Sequence, residues 1–89
     1  MISRRNAALT RSLERLSPEL RRRAQVAFQH FSADPSAQSL RFKKVGEPDV
    51  YSARVTDSLR ALGYLEGDTI TWFWIGPHDD YMRIIRSLR

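Results

Sequence analysis

The 89 residues, of which 42% are hydrophobic, predict one folded domain spanning 1–89 with a single core. With no cysteine, the chain has no disulfide scaffold, thiolate metal site or cysteine nucleophile, and it suits a reducing cytosol. Two histidines are too few for a self-contained histidine metal site, although carboxylates could add ligands. No apolar run approaches the roughly 20 residues of a membrane span, and the first residues lack the apolar stretch of a secretory signal. Residues 1–45 carry ten Lys/Arg against three Asp/Glu, a balance of +7, while residues 46–89 carry five against seven, a balance of −2. Such a basic half attracts polyanions, nucleic acid the commonest; a merely solubilising surface is the alternative.

In chain order, the first third predicts two helices, 4–15 and 18–33. Leu9, Leu13 and Leu16 recur at helical spacing. Ser17-Pro18-Glu19 supplies an N-cap, a proline tolerated at the first helical position, and an acid for the first turn. Leu20, Ala24, Ala27, Phe28 and Phe31 then form one apolar stripe, and Asp34-Pro35 ends it. The short gap between the helices favours an antiparallel hairpin.

Leu40 to Val45 alternates apolar and basic residues, which predicts a strand with one buried and one positive face. Gly46-Glu47-Pro48-Asp49 is a turn cluster. Tyr51, Ala53 and Val55 alternate with Ser52, Arg54 and Thr56, and Arg60 to Tyr64 is a third strand. After the turn at Glu66-Gly67-Asp68, Thr69 to Ile75 is the strongest strand, apolar on both faces and so expected inside the sheet. Gly76-Pro77 breaks it. Tyr81, Ile84, Ile85 and Leu88 mark a short amphipathic helix opened by Asp79 and Asp80. The predicted class is α+β: a helical hairpin on a four-stranded, mostly antiparallel sheet, with a short C-terminal helix.

Three constellations carry candidate chemistry. Arg54 and Arg60 fall on adjacent strands, each on the polar side. Converging guanidinium groups match phosphate oxygens and stay charged at any working pH. From the residues alone, two exposed arginines paired with Asp57 or Glu66 are the better reading. His78 follows the end of the strongest strand, with Tyr81 three residues on. Histidine suits general acid or base work near neutrality; a surface histidine at a helix start, with Tyr81 in the core, is the plain alternative. His30 lies within a helix and reads as exposed or half-buried. Trp72 and Trp74, at i and i+2, are expected to share a face, as core rather than as a stacking platform.

The ordered series Ser39–Val45, Val50–Val55, Leu59–Gly63 and Gly67–Tyr81, the last ending Trp72-Phe73-Trp74-Ile75-Gly76-Pro77-His78-Asp79-Asp80-Tyr81, resembles the RelE/ParE toxin superfamily of bacterial type II toxin–antitoxin systems. The likeness covers nearly the whole chain. It implies a helical hairpin packed on one face of a twisted sheet, a cytoplasmic location, and an acidic, partly disordered antitoxin as partner. It also implies a metal-independent endoribonuclease that cleaves mRNA, in many members in the ribosomal A site, with no cofactor and no membrane association. Members of the ParE type instead poison DNA gyrase, and a degenerate RNA- or antitoxin-binding module is a third possibility. By the resemblance, Arg54 and Arg60 contact the scissile phosphate. His78 serves as acid or base, and Tyr81 stacks on a base or orients the phosphate. Arg41, Lys43 and Lys44 would bind RNA. Ser52 stands where RelE itself has a lysine, two positions before the Arg54 counterpart, so a base must come from His78 or a carboxylate.

Overall fold

The computed structural model describes residues 1–88. The first helix, α1 (Ala7–Glu14), starts where the Asn6 side chain accepts a hydrogen bond from the Leu9 N–H at 3.0 Å. The second, α2 (Pro18–Ala33), starts where Ser17 Oγ accepts from the Leu20 N–H at 3.2 Å, with Pro18 at its head. Each cap satisfies a backbone donor that has no partner within the helix. Five strands follow the chain as β1 (Ile2–Arg5), β2 (Lys43–Gly46), β3 (Val50–Arg54), β4 (Leu59–Glu66) and β5 (Thr69–Pro77). A final helix, α3 (His78–Ser87), leaves β5 directly. The sheet order is β1-β5-β4-β3-β2. All neighbours are antiparallel except β1, which runs parallel to β5.

The α+β class and the helical hairpin agree with expectation, and the sheet has five strands rather than four. Residues 2–5 form an edge strand, so the first helix begins at Ala7 and not at residue 4. Four residues with one apolar side chain give no usable periodicity. What places them is the backbone of β5, with Ile2 opposite Thr69 and Arg5 opposite Trp72. The strand expected over 40–45 is also shorter. Gln38–Leu40 is a 3-10 turn, Arg41 adopts the left-handed region at φ 47°, and pairing starts at Lys43.

The sheet carries a core on each face. On one face, Leu9, Leu13, Ala24, Phe28 and Phe31 of the hairpin bury against Ala53, Ala61, Ile70, Trp72 and Ile75. Tyr51 and Val55 pack on this side too, as their alternation with Arg54 predicts. Trp72 is 0% exposed; its ring lies 5.7 Å from Phe28 and 5.2 Å from Phe31, and its Nε1–H donates to Ser3 Oγ at 2.9 Å. Ser12 Oγ, buried on α1, accepts from the Ile75 N–H at 3.1 Å and so fixes the hairpin to β5. On the opposite face, α3 covers Val50 and Leu62 with Tyr81, flanked by Met82, Ile84, Ile85 and Leu88.

Trp72 and Trp74 do not share a face. Leu62 pairs with Trp74 while the adjacent Gly63 pairs with Trp72, which leaves Phe73 as the extra residue of a β-bulge. Ile70, Trp72 and Ile75 therefore face the hairpin, whereas Phe73 and Trp74 pack on the α3 side. A Cβ at Gly76 would sit 2.5 Å from the Trp74 indole, so only glycine admits the ring there.

Trp72→Ala is expected to lower unfolding free energy by about 3–5 kcal/mol in chemical denaturation. Val26→Ala, at a site 63% exposed on α2, should stay within about 0.5 kcal/mol of the parent.

Candidate functional site

A cavity of about 350 Å³ opens on the α3 side of the sheet. Its lining is Arg41, Lys43, Ser52, Arg54, Arg60, His78, Tyr81, Met82 and Ile85. Strand alternation accounts for most of it. Arg54 pairs directly with Arg60 across β3 and β4, and Lys43 pairs with Ser52 across β2 and β3. Opposed residues in an antiparallel sheet project to the same face, so Lys43, Ser52, Arg54 and Arg60 share one side. Met82 and Ile85 of α3 form the apolar wall. The left-handed Arg41, at the end of the 3-10 turn, brings its side chain to the same cavity.

Of the seven residues expected to act on or bind RNA, six thus line one cavity, and Lys44 does not. Lys44 pairs with Tyr51, on the hairpin side of the sheet. Its ammonium lies 3.2 Å from Glu47 and 3.8 Å from Asp49. The hydrogen bond to Glu47, helped by both carboxylate charges, raises the Lys44 pKa above its ordinary value. The expectation of one positive strand face carrying both lysines fails because neighbours on a strand project to opposite faces.

The two arginines are held differently. Arg60 Nη1 donates to the carbonyls of Thr56 at 2.8 Å, Asp57 at 3.2 Å and Leu59 at 3.0 Å. The loop between β3 and β4 therefore grips it by main chain alone. Burial, and then the charge of Arg54, lower the Arg60 pKa from its ordinary value, yet a guanidinium remains a cation at any working pH. Arg54 Nη2 instead donates to the Asp57 carboxylate. Of the pairings left open by the sequence, Asp57 goes to Arg54, and Arg60 takes carbonyls.

His78 is the first residue of α3 and is exposed. Its N–H donates to the Ser58 carbonyl at 2.8 Å, which pins the start of the helix to the same loop. The Tyr81 ring lies 5.8 Å from the imidazole. Tyr81 is buried, as the plain alternative has it: it is 5% exposed, and its hydroxyl donates to Ser52 Oγ at 3.2 Å. It forms the floor, with no free ring face for a base. Sequence reading missed this pairing, and it missed the grip of the Thr56-Asp57-Ser58 loop on Arg60. Turn-forming residues between two alternating strands were the available signal. His30 is exposed on α2 and lies outside the cavity.

Among the described residues, no helix is long and apolar enough to cross a membrane. A family model described as ParE-like toxin domain matches residues 18–83. None of the curated proteins matches significantly. Among solved structures, a chain of the archaeal RelE–RelB complex from Pyrococcus horikoshii aligns with TM-score 0.66 at 17% identity, covering 85% of this chain and 92% of that one. A chain of a RelBE toxin–antitoxin complex from Mycobacterium tuberculosis aligns with TM-score 0.66 at 20% identity, covering 86% and 96%. A YoeB/ParE toxin from Agrobacterium tumefaciens aligns with TM-score 0.67 at 13% identity, covering 88% and 99%. At these identities the likeness is one of fold.

Tyr81→Phe is expected to cost about 1–2 kcal/mol, because it removes a buried hydrogen bond and leaves the Ser52 hydroxyl unpaired. A double-mutant cycle with Ser52→Ala, followed by denaturant unfolding, should return a coupling of about 0.5–1.5 kcal/mol.

Proposed function

The chain belongs to the ParE-like toxin domain family of the RelE/ParE superfamily, and from that premise we propose that this toxin of a toxin–antitoxin module is an mRNA endoribonuclease neutralised by a cognate antitoxin. The observation that carries the reading is the cavity itself: among the described residues, four cationic side chains and one imidazole line it, and no carboxylate does. That lining suits a phosphodiester, which spreads negative charge over its oxygens and gains more as a phosphorane forms.

The chemistry is strand cleavage by the ribose 2′-OH. Its oxygen attacks the adjacent phosphorus, the bond to the 5′-oxygen breaks, and the products are a 2′,3′-cyclic phosphate and a 5′-hydroxyl. One group removes the 2′ proton and another protonates the departing 5′-oxygen. His78, exposed at the cavity mouth, takes one of these transfers. Arg54 and Arg60 offset the charge on the phosphorane. Tyr81 orients the floor through Ser52 and does not stack on a base. Ser52, engaged by Tyr81, does not replace the lysine of RelE. Arg41 and Lys43 hold backbone phosphates beside the scissile one.

The named partners are mRNA, which many superfamily members cleave on the ribosome, and an acidic antitoxin that is partly disordered until it binds. The solved relatives from Pyrococcus horikoshii and Mycobacterium tuberculosis are toxin–antitoxin complexes, which supports the antitoxin. A gyrase-directed toxin without catalysis is the second reading. It is favoured by the ParE-like description of the matching family and by a cavity with a single imidazole.

In a cleavage assay on mRNA with and without ribosomes, His78→Ala should lower the rate by about 10²–10⁴. Arg60→Ala should have an effect of about 10²–10³. Both variants are checked for fold by circular dichroism. Full cleavage by a folded His78→Ala protein would remove the histidine from the mechanism. Inhibition of gyrase supercoiling with no RNA cleavage would establish the second reading. Lys43→Glu should weaken RNA binding and lower the slope of log K against log salt by about one. Lys44→Glu, at a lysine already paired with Glu47 and Asp49, should leave that slope unchanged.

A further inference from the structure

Arg54 lines two recesses. One is the cationic cavity; the other is a groove of about 710 Å³ between α2 and the loop joining β3 to β4. Asp57 lines the groove and not the cavity. Its carboxylate reaches Arg54 from that side and binds Nη2. The Arg54 side chain is 30% exposed, but the carboxylate is 91% exposed, so neither a buried network nor a packed wall holds Asp57 in place. Arg60 contrasts with it: main-chain carbonyls of the turn from β3 into β4 hold its Nη1.

The pairing has an electrostatic reason. Arg54 and Arg60 are directly opposed across two strands, and like charges so placed repel. The carboxylate of Asp57 offsets that repulsion in the free protein. A phosphodiester in the cavity carries the same unit of charge and fits the guanidinium fork at least as well. Two anions on one guanidinium would repel each other, so the two compete. An exposed ion pair of this kind contributes only a small stabilisation, which makes the exchange inexpensive.

We propose that Asp57 is an internal stand-in for substrate: its carboxylate occupies Arg54 in the free toxin, and a backbone phosphate of RNA displaces it. The proposal rests on the reading of the cavity as a phosphodiester site. It makes Arg54 the exchangeable arm of the clamp and Arg60 the fixed one, and it makes Asp57 a determinant of RNA affinity although it does not line the cavity.

The probe is a short RNA oligonucleotide carrying a 2′-deoxy sugar at the cleavage position, titrated into the full-length protein at fixed low salt. Asp57→Asn should tighten binding about two- to fivefold, the equilibrium equivalent of one exposed ion pair. Glu66→Gln, which neutralises another exposed carboxylate at the far end of β4, should change affinity by less. In an Arg54→Gln background the gain from Asp57→Asn should vanish. Equal or weaker binding by Asp57→Asn, with Arg60→Ala still reducing affinity, overturns the stand-in role and leaves the phosphodiester site intact. Persistence of the gain without Arg54 overturns it too, as a general charge effect. Binding unaffected by Arg60→Ala removes the phosphodiester site and the stand-in with it.

Discussion

The extra residue at Phe73 sets the plan of the molecule. In an unbroken strand, side chains alternate strictly, and β5 would send Trp72 and Trp74 to one face. The bulge opposite Leu62 and Gly63 reverses the alternation halfway along. Its first part supplies Ile70 and Trp72 to the hairpin, its middle supplies Phe73 and Trp74 to the α3 face, and Ile75 returns to the hairpin. One strand thus serves two cores in a chain too short to build two sheets. The same shift fixes the exit of β5, where Gly76 lies beneath the Trp74 indole and Pro77 precedes the first residue of α3 without a capping hydrogen bond.

That exit positions the cavity. Because α3 begins at once, His78 stands beside the loop that grips Arg60, joined to it by the bond from its N–H to Ser58. Tyr81, one helical turn on, reaches Ser52 on β3. Leu88, at the far end, packs over Gly46, where a Cβ would lie 2.8 Å from its side chain. Beside α3, Lys43 of β2, Arg54 of β3 and Arg60 of β4 line the open cavity. Tyr64 stacks on Phe73 with ring centroids 4.4 Å apart. The concentration of charge therefore comes from strand pairing that sets these basic side chains on one face, with α3 supplying the apolar wall.

Charge is used in two ways within this small area. Arg23 with Glu19, Lys44 with Glu47 and Arg83 with Asp80 are exposed pairs that add little to stability. Arg60 is held by neutral carbonyls and keeps its positive field directed into the cavity. A carboxylate in that role would have cancelled the field. Arg54 lies between these cases, neutralised by a group that water can replace.

Periodicity by itself determined the helical hairpin, the strands from Val50 to Ile75, the turn at Gly67 and the amphipathic α3, because each buries a face wide enough to impose its period on the sequence. It also determined that Tyr51, Ala53 and Val55 face the core while Arg54 faces away. Only the tertiary structure decided that residues 2–5 are a strand, since the partner that makes them one lies at Thr69 to Trp72 and no local pattern can encode a distant backbone. The separation of Trp72 from Trp74 was likewise settled by the partner strand's register. So was the exclusion of Lys44 from the cavity, which depends on its pairing with Tyr51 rather than Ser52. The sequence specified which residues are basic; the pairing of strands, which is long-range and sensitive to a single inserted residue, decided which of them meet.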